Sequence, residues 1–211
     1  MLLIGQYDSP FVRRVAIALR LYGLKFQHKP WSTFGDAELI APYNPLRRVP
    51  TLVLDDGEVL SDSAAILDYL DQRVGVERAL LPASGRARRE SLRLMAIALA
   101  AAEKGRDQLQ EVFFRPDDKR HLPWIERLQS QMHAGVGLLD NECKSRNTHW
   151  LIGSAMSQAD ITATCAFTFL NDALPDAGIA TRYPHAAKLV ARCETLAPFQ
   201  DTHTPFFKPV A

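Results

Sequence analysis

Up to about residue 75 the chain alternates short apolar runs with stretches of helical periodicity. "LLIGQY" (residues 2–7) reads as a strand. In the run that follows, Ser9 has a side chain preferred at a helix N-cap, and Pro10 falls at the first helical position, where its missing N–H costs nothing. Val12, Val15, Ala16 and Leu19 then recur at the i, i+3, i+4, i+7 spacing of one buried face, and Gly23 can close the helix in the left-handed conformation. "KFQHKP" (25–30) offers a second strand and completes a β-α-β unit. After the irregular "WSTFGDAELIAPYNPL" (31–46), the runs "TLVL", "DDG" and "EVL" predict a hairpin whose Asp56-Gly57 turn tolerates positive φ. A further helix starts near Ser61 or Asp62, carries Ala65, Ile66, Tyr69 and Leu70 on one face and ends before Gly75.

From about Arg86 onward the strand signals vanish. "RARRESLRLMAIALAAAEKGRDQLQEVFF" (86–114) has alanine, leucine and charged residues at helical spacing and no internal proline. "LPWIERLQSQMHAGVGLLDNEC" (122–143), "SQADITATCAFTFLNDAL" (157–174) and "YPHAAKLVARCETL" (183–196) are three more helical patterns. The connecting "VGVERALLPASG" (74–85), with Pro82, Ser84 and two glycines, reads as a linker. The expected architecture is α/β plus all-α, in two domains of about residues 1–76 and 87–211, with no internal repeat or low-complexity tract.

Composition narrows the partners. The 211 residues are 47% hydrophobic, enough for a substantial core. Lys+Arg at 25 against Asp+Glu at 24 leaves a formal charge of +1, so bulk electrostatics favour neither nucleic acid nor an acidic membrane surface. "MLLIGQYDSP" has no basic leader and no apolar run is long enough to span a bilayer, so a soluble cytoplasmic protein is expected. Cys143, Cys165 and Cys193 are odd in number and widely spaced, which fits reduced thiols. The six histidines never fall at metal-binding spacing, and no metal is expected.

Three features carry candidate chemistry. In "RRVPTL", Pro50 must sit at a strand start because it cannot donate to a ladder; a cis Val49-Pro50 bond would turn the Val49 N–H and C=O outward toward an extended peptide-like ligand, whereas a trans bond is an ordinary strand start. In "LSDSAAIL", capping explains one or two of Ser61, Asp62 and Ser63; the surplus suits a carboxylate at a helix N-terminus, with Asp62 placed to hold an ammonium. Arg13 and Arg14 lie in the first turn of the opening helix, where exposed cations are disfavoured by about 0.3 to 1 kcal/mol each. They either point into water or mark an anion nearby.

The motifs "SPF", "NPLRRVPTL" and "SDSAAILDYL", in that order and spacing, resemble the N-terminal thioredoxin-like domain of the cytosolic glutathione transferases. "SAMSQADITATCAF" is similar to that family's second-domain signature; Ser157 and Asp160 would form a capping box there, and Met156 could staple to Ile161. The resemblance implies a thioredoxin-like domain followed by a helical bundle, with glutathione as co-substrate, a small hydrophobic electrophile as second substrate, and a homodimeric assembly. It implies Ser9 as the activating hydroxyl, as in serine-type members, with Tyr7 as the competing candidate. Phe11, Arg48, Val49, Pro50, Asp62 and Ser63 would form the glutathione site: Val49 pairs the cysteinyl backbone, Asp62 and Ser63 hold the γ-glutamyl end, and Arg48 reaches the glycyl carboxylate.

A thiol with pKa near 8.5 is a few per cent ionised at neutral pH, so the thiolate must be stabilised by a hydroxyl, helix N–H groups and guanidinium charge. Arg13 or Arg14 would then offset the charge of bound glutathione, the alternative being two solvated side chains. Val12 stands where a thioredoxin-type pair holds its second cysteine, which argues against redox exchange through an enzyme thiol. For the electrophile, Tyr7, Phe11, Leu99, Glu103, Arg106, Phe113 and one of Phe206 or Phe207 are candidates. A non-catalytic glutathione-binding protein, or a glutathione-dependent peroxidase, dehalogenase or isomerase, would use the same tripeptide site.

Overall fold

A computed structural model describes residues 1–146 and 148–207; the end of the tail, 208–211, lies outside the described residues. In chain order the elements are β1 (Leu2–Ile4), α1 (Pro10–Leu21), β2 (Gln27–Lys29), α2 (Ala37–Ile40), β3 (Thr51–Val53), β4 (Val59–Ser61), α3 (Ser63–Val74), α4 (Gly85–Phe114), α5 (Leu122–Ser145), α6 (Gln158–Ala173), α7 (Ile179–Arg182), α8 (Pro184–Glu194) and α9 (Ala197–Gln200).

The four strands form one mixed sheet in the order β2-β1-β3-β4. β1 runs parallel to β2, pairing Leu3 with His28, and antiparallel to β3, pairing Leu3 with Leu52. β3 and β4 form the expected hairpin, with Leu52 opposite Leu60 and the left-handed turn residue being Gly57. The β-α-β unit anticipated from the sequence is therefore present. Helix α2, a single turn, lies in the stretch expected to be irregular.

Helix α1 starts at Pro10 with Ser9 as N-cap. It ends in a Schellman arrangement: Leu24 N–H bonds to Leu19 C=O at 3.0 Å, Gly23 N–H to Arg20 C=O at 3.0 Å, and Gly23 has φ +67°. Val12, Val15, Ala16 and Leu19 bury the expected face together with Leu3, Leu52, Ile66 and Leu70. The opposite side is covered too. Ile17 packs into the core of the helical half, and Arg13, Arg14 and Ala18 are also buried. With each buried aliphatic side chain contributing about 1.5–3 kcal/mol, α1 joins the sheet to the helices rather than capping the sheet alone.

The second half is built around α6, in which 13 residues are buried, as expected for a helix apolar nearly all round. The Ser157–Asp160 capping box forms: Asp160 accepts from the Ser157 N–H at 2.9 Å and the Ser157 hydroxyl accepts from the Ala159 N–H at 3.2 Å. The other Asp160 oxygen accepts from Leu151 N–H at 2.7 Å, so one buried carboxylate also fixes the preceding loop. Met156 and Ile161 belong to the same apolar cluster. The linker is held down as well. The Tyr22 hydroxyl donates to Asp71 and accepts from Leu80 N–H at 2.9 Å, while Leu80 C=O accepts from Gln158 N–H at 3.0 Å.

Candidate active site

A cavity of about 870 Å³ opens between the two halves. Ser9, Phe11, Arg48, Val49, Pro50, Asp62 and Ser63 all line it, from segments that sequence order separates by some fifty residues. The sheet and α1 bring them together: Ser9 follows β1, Val49-Pro50 leads into β3, and Asp62-Ser63 follows β4.

Ser9 has extended backbone and caps α1 without a side-chain capping bond. Among the described residues its hydroxyl has no hydrogen-bond partner, and it lies beside the first N–H groups of the helix, at the positive end of the dipole. The Val49-Pro50 peptide bond is cis, and the Val49 N–H and C=O have no hydrogen-bond partner among the described residues. Arg48 is exposed and has no carboxylate partner among the described residues, whereas its neighbour Arg47 is paired with Glu38 at 2.9 Å. Asp62 caps α3, accepting from Ala64 N–H at 2.8 Å, and does so at φ +74°, a conformation costing a non-glycine residue about 1–3 kcal/mol. Only Asp62 of the Ser-Asp-Ser run serves as a cap. The Ser61 hydroxyl accepts from Asn44 at 3.1 Å and that of Ser63 from Arg14 at 2.8 Å.

The alternative of two solvated arginines does not hold, because both side chains are buried; Arg13 finds its anion within the protein, and Arg14 is the one that stands near the cavity. Arg13 is 3% exposed and makes a two-pronged ion pair with Glu194, at 2.8 and 2.6 Å, with further bonds to the carbonyls of Phe199 and Thr202 at 2.9 and 3.1 Å. Its charge is consumed in joining α1 to α8. Arg14 is fully buried and donates to Ser63 and to Thr162 Oγ1, the latter at 3.2 Å. Burial pulls its pKa down to about 10, so it remains a cation at neutral pH.

Tyr7 does not line the cavity. Its ring stacks on His28 with centroids 4.0 Å apart and planes 3° from parallel. Burial raises its phenol pKa, with Arg20 partly opposing that shift. Of the electrophile-site candidates, Phe11, Glu103, Arg106, Phe113, Phe206 and Phe207 face the cavity. Leu99 does not: it lies one helical turn before Glu103, beyond the cavity's reach. The sequence reading missed Asp8, Trp31, Phe34, Gln110 and Phe169. Phe34 and Phe114 bring their ring centroids to 4.9 Å, closing one side, and Phe206 lies 6.4 and 6.0 Å from the rings of Phe113 and Phe169. Trp31 and Phe34 sit in a stretch without periodicity, so nothing in the pattern could have placed them.

Among the described residues no group of His, Cys, Asp or Glu could hold a metal, and no helix is long and apolar enough to cross a membrane. Burial pushes the thiols of Cys143 and Cys165 up to about 12 and that of Cys193 to about 11, which leaves all three poor nucleophiles at neutral pH.

Both halves of the chain resemble known proteins. Residues 3–78 match the glutathione S-transferase N-terminal domain and residues 123–192 the C-terminal domain. An uncharacterised GST-like protein of Escherichia coli K12, YibF, is 29% identical over 208 residues, covering 97% of this chain and 99% of its own. The fold matches that of a Methylobacterium radiotolerans glutathione S-transferase in complex with glutathione sulfonate, with TM-score 0.91, 24% identity and 100% and 97% of the two chains covered. A glutathione S-transferase from Methylobacillus flagellatus with bound glutathione superposes with TM-score 0.87 at 26% identity, over 95% and 98% of the chains. A thioredoxin-like sheet, a helical second half built on α6 and matches to both domains establish that this chain belongs to the glutathione S-transferase family.

Proposed function

We propose that the chain is a glutathione transferase in which Ser9 stabilises the thiolate of glutathione for attack on a small hydrophobic electrophile. The observation that carries this reading is the Ser9 hydroxyl, uncommitted at the N-terminus of α1, in the same cavity as the unpaired Val49 backbone, Arg48 and the Asp62-Ser63 helix start. These groups match the tripeptide chemically. Val49 offers a strand-like donor and acceptor for the cysteinyl unit, beside Phe11 and Pro50. Arg48 holds the glycyl carboxylate, Asp62 the α-ammonium, and Ser63 donates its hydroxyl proton to the α-carboxylate while accepting from Arg14. Arg14 adds positive charge behind that carboxylate. We take residues 1–76 as the glutathione-binding domain and 87–211 as the electrophile-binding domain.

Glutathione supplies the nucleophilic sulfur; the protein supplies stabilisation and orientation. Lowering a thiol pKa from about 8.5 to about 7 requires about 2 kcal/mol of preference for the anion. One hydrogen bond to a charged group contributes about 1.5–3 kcal/mol, so the Ser9 hydroxyl supplies the required order of magnitude. Phe11, Phe113, Phe169 and Phe206 offer apolar surface to a hydrophobic electrophile in the same cavity. A cytoplasmic homodimer belongs to the same proposal, supported by Leu92, Trp124 and Leu138, which are 44, 42 and 53% exposed on α4 and α5.

The test is retention on immobilised glutathione with elution by the free tripeptide, then turnover of a chromogenic aryl halide beside a peroxide and a mixed disulfide. Conjugation of the aryl halide is expected. Ser9→Ala should lower kcat/KM by about 10²-fold while Tyr7→Phe stays within about threefold of the parent. Full activity in Ser9→Ala contradicts the assignment.

A further inference from the structure

Asp8 is one residue, about 3.8 Å of backbone, from Ser9 and lines the same cavity. It has no cationic partner among the described residues. Its Oδ2 accepts from the Phe207 N–H at 3.3 Å, and burial raises its pKa, opposed only by backbone hydrogen bonds. Among the described residues the cations that line the cavity are otherwise engaged: Arg47 with Glu38, Arg106 with Asp107 at 2.7 Å, and Arg48 with the tripeptide in the reading above. Glu103, exposed on α4, adds a second carboxylate to the same wall and is likewise unpaired. The aromatic rings of Phe11, Phe113, Phe169 and Phe206 line the same cavity, with Arg106 and Gln110 beside Glu103 on α4.

We infer that Asp8 is a specificity-determining residue that selects electrophiles carrying a positive charge or a strong hydrogen-bond donor near the reacting carbon and rejects anionic ones. A half-buried carboxylate with no cationic partner among the described residues repels a second anion at short range and attracts a cation. Aromatic faces reinforce the preference, since they too attract cations. A carboxylate also opposes the neighbouring thiolate, and a cationic substrate relieves that repulsion as it enters.

The inference rests on the glutathione reading, and equilibrium binding separates the two without requiring turnover. At pH 7.5, titration calorimetry compares S-propylglutathione, S-(3-aminopropyl)glutathione and S-(2-carboxyethyl)glutathione, whose short arms keep the charge close to the sulfur. The cationic ligand should bind about tenfold or more tightly than the anionic one, with the neutral ligand between them. In Asp8→Asn, which keeps an acceptor for the Phe207 N–H, the ratio should fall to within about threefold. If S-propylglutathione binds but the wild-type ratio is near one, or persists unchanged in Asp8→Asn, the inference fails and the glutathione reading stands. If S-propylglutathione does not bind at all, both fall.

Discussion

Arg13→Met removes a guanidinium that is almost fully enclosed and makes four hydrogen bonds, two to the Glu194 carboxylate and two to the carbonyls of Phe199 and Thr202. Glu194, with a side chain 21% exposed, is left with the Thr168 hydroxyl at 2.7 Å as its side-chain partner. Removing one member of such a pair strands the other in a low-dielectric setting, a change that costs about 3–5 kcal/mol. For a chain of this length, 1 kcal/mol corresponds to about 2–4 °C in melting temperature, so a drop of about 6–20 °C is expected in a thermal scan. Because Arg13 does not line the cavity, glutathione affinity measured by calorimetry below the transition should change by less than about threefold. An unchanged melting temperature combined with a tenfold loss of affinity would refute the assignment of Arg13 to the joint between the halves.

Other expectations follow from single observations. Burial pushes the Glu194 carboxyl upward, but hydrogen bonds from Arg13 and Thr168 outweigh it and leave the pKa below the ordinary 4.5. Its stabilisation is therefore complete above pH 4.5 and lost as pH falls through the folded value, so Glu194→Gln should show a shallower acid-side decline in urea stability than the parent. Gly105→Ala would place a Cβ 2.2 Å from Cδ2 of the fully buried Leu170 and should cost about 1–3 kcal/mol in a denaturant titration, through overpacking between α4 and α6. Arg48→Ala should raise KM for glutathione about tenfold with kcat little changed, the pattern of a lost ground-state contact.

Much of this molecule was legible where a local rule and a long-range need coincide. Ser9-Pro10 starts α1, Asp62 caps α3, and the Ser157–Asp160 box starts α6, as their sequence signatures indicated. The burial of the two arginines was not legible because periodicity shows one apolar face of α1 and is silent about a second covering layer; their partners, Glu194, Ser63 and Thr162, lie 49 to 181 residues away. Tyr7 and Ser9 were rival candidates by family resemblance, with Ser9 the preferred one; in the fold the Tyr7 ring packs on His28, while Ser9 lines the cavity. Asp8 carried no pattern at all. Its interest comes from the Phe207 backbone and the aromatic residues that the fold brings beside it.

The account turns on a sulfur held as an anion by one hydroxyl. Ultraviolet difference titration of the glutathione complex from pH 5 to 9 measures that directly. Thiolate absorption should develop with an apparent pKa near 7 in the parent and Tyr7→Phe proteins and move toward about 8.5 in Ser9→Ala. A parent complex whose thiol titrates no lower than free glutathione, or a Ser9→Ala complex titrating with the parent, would contradict it.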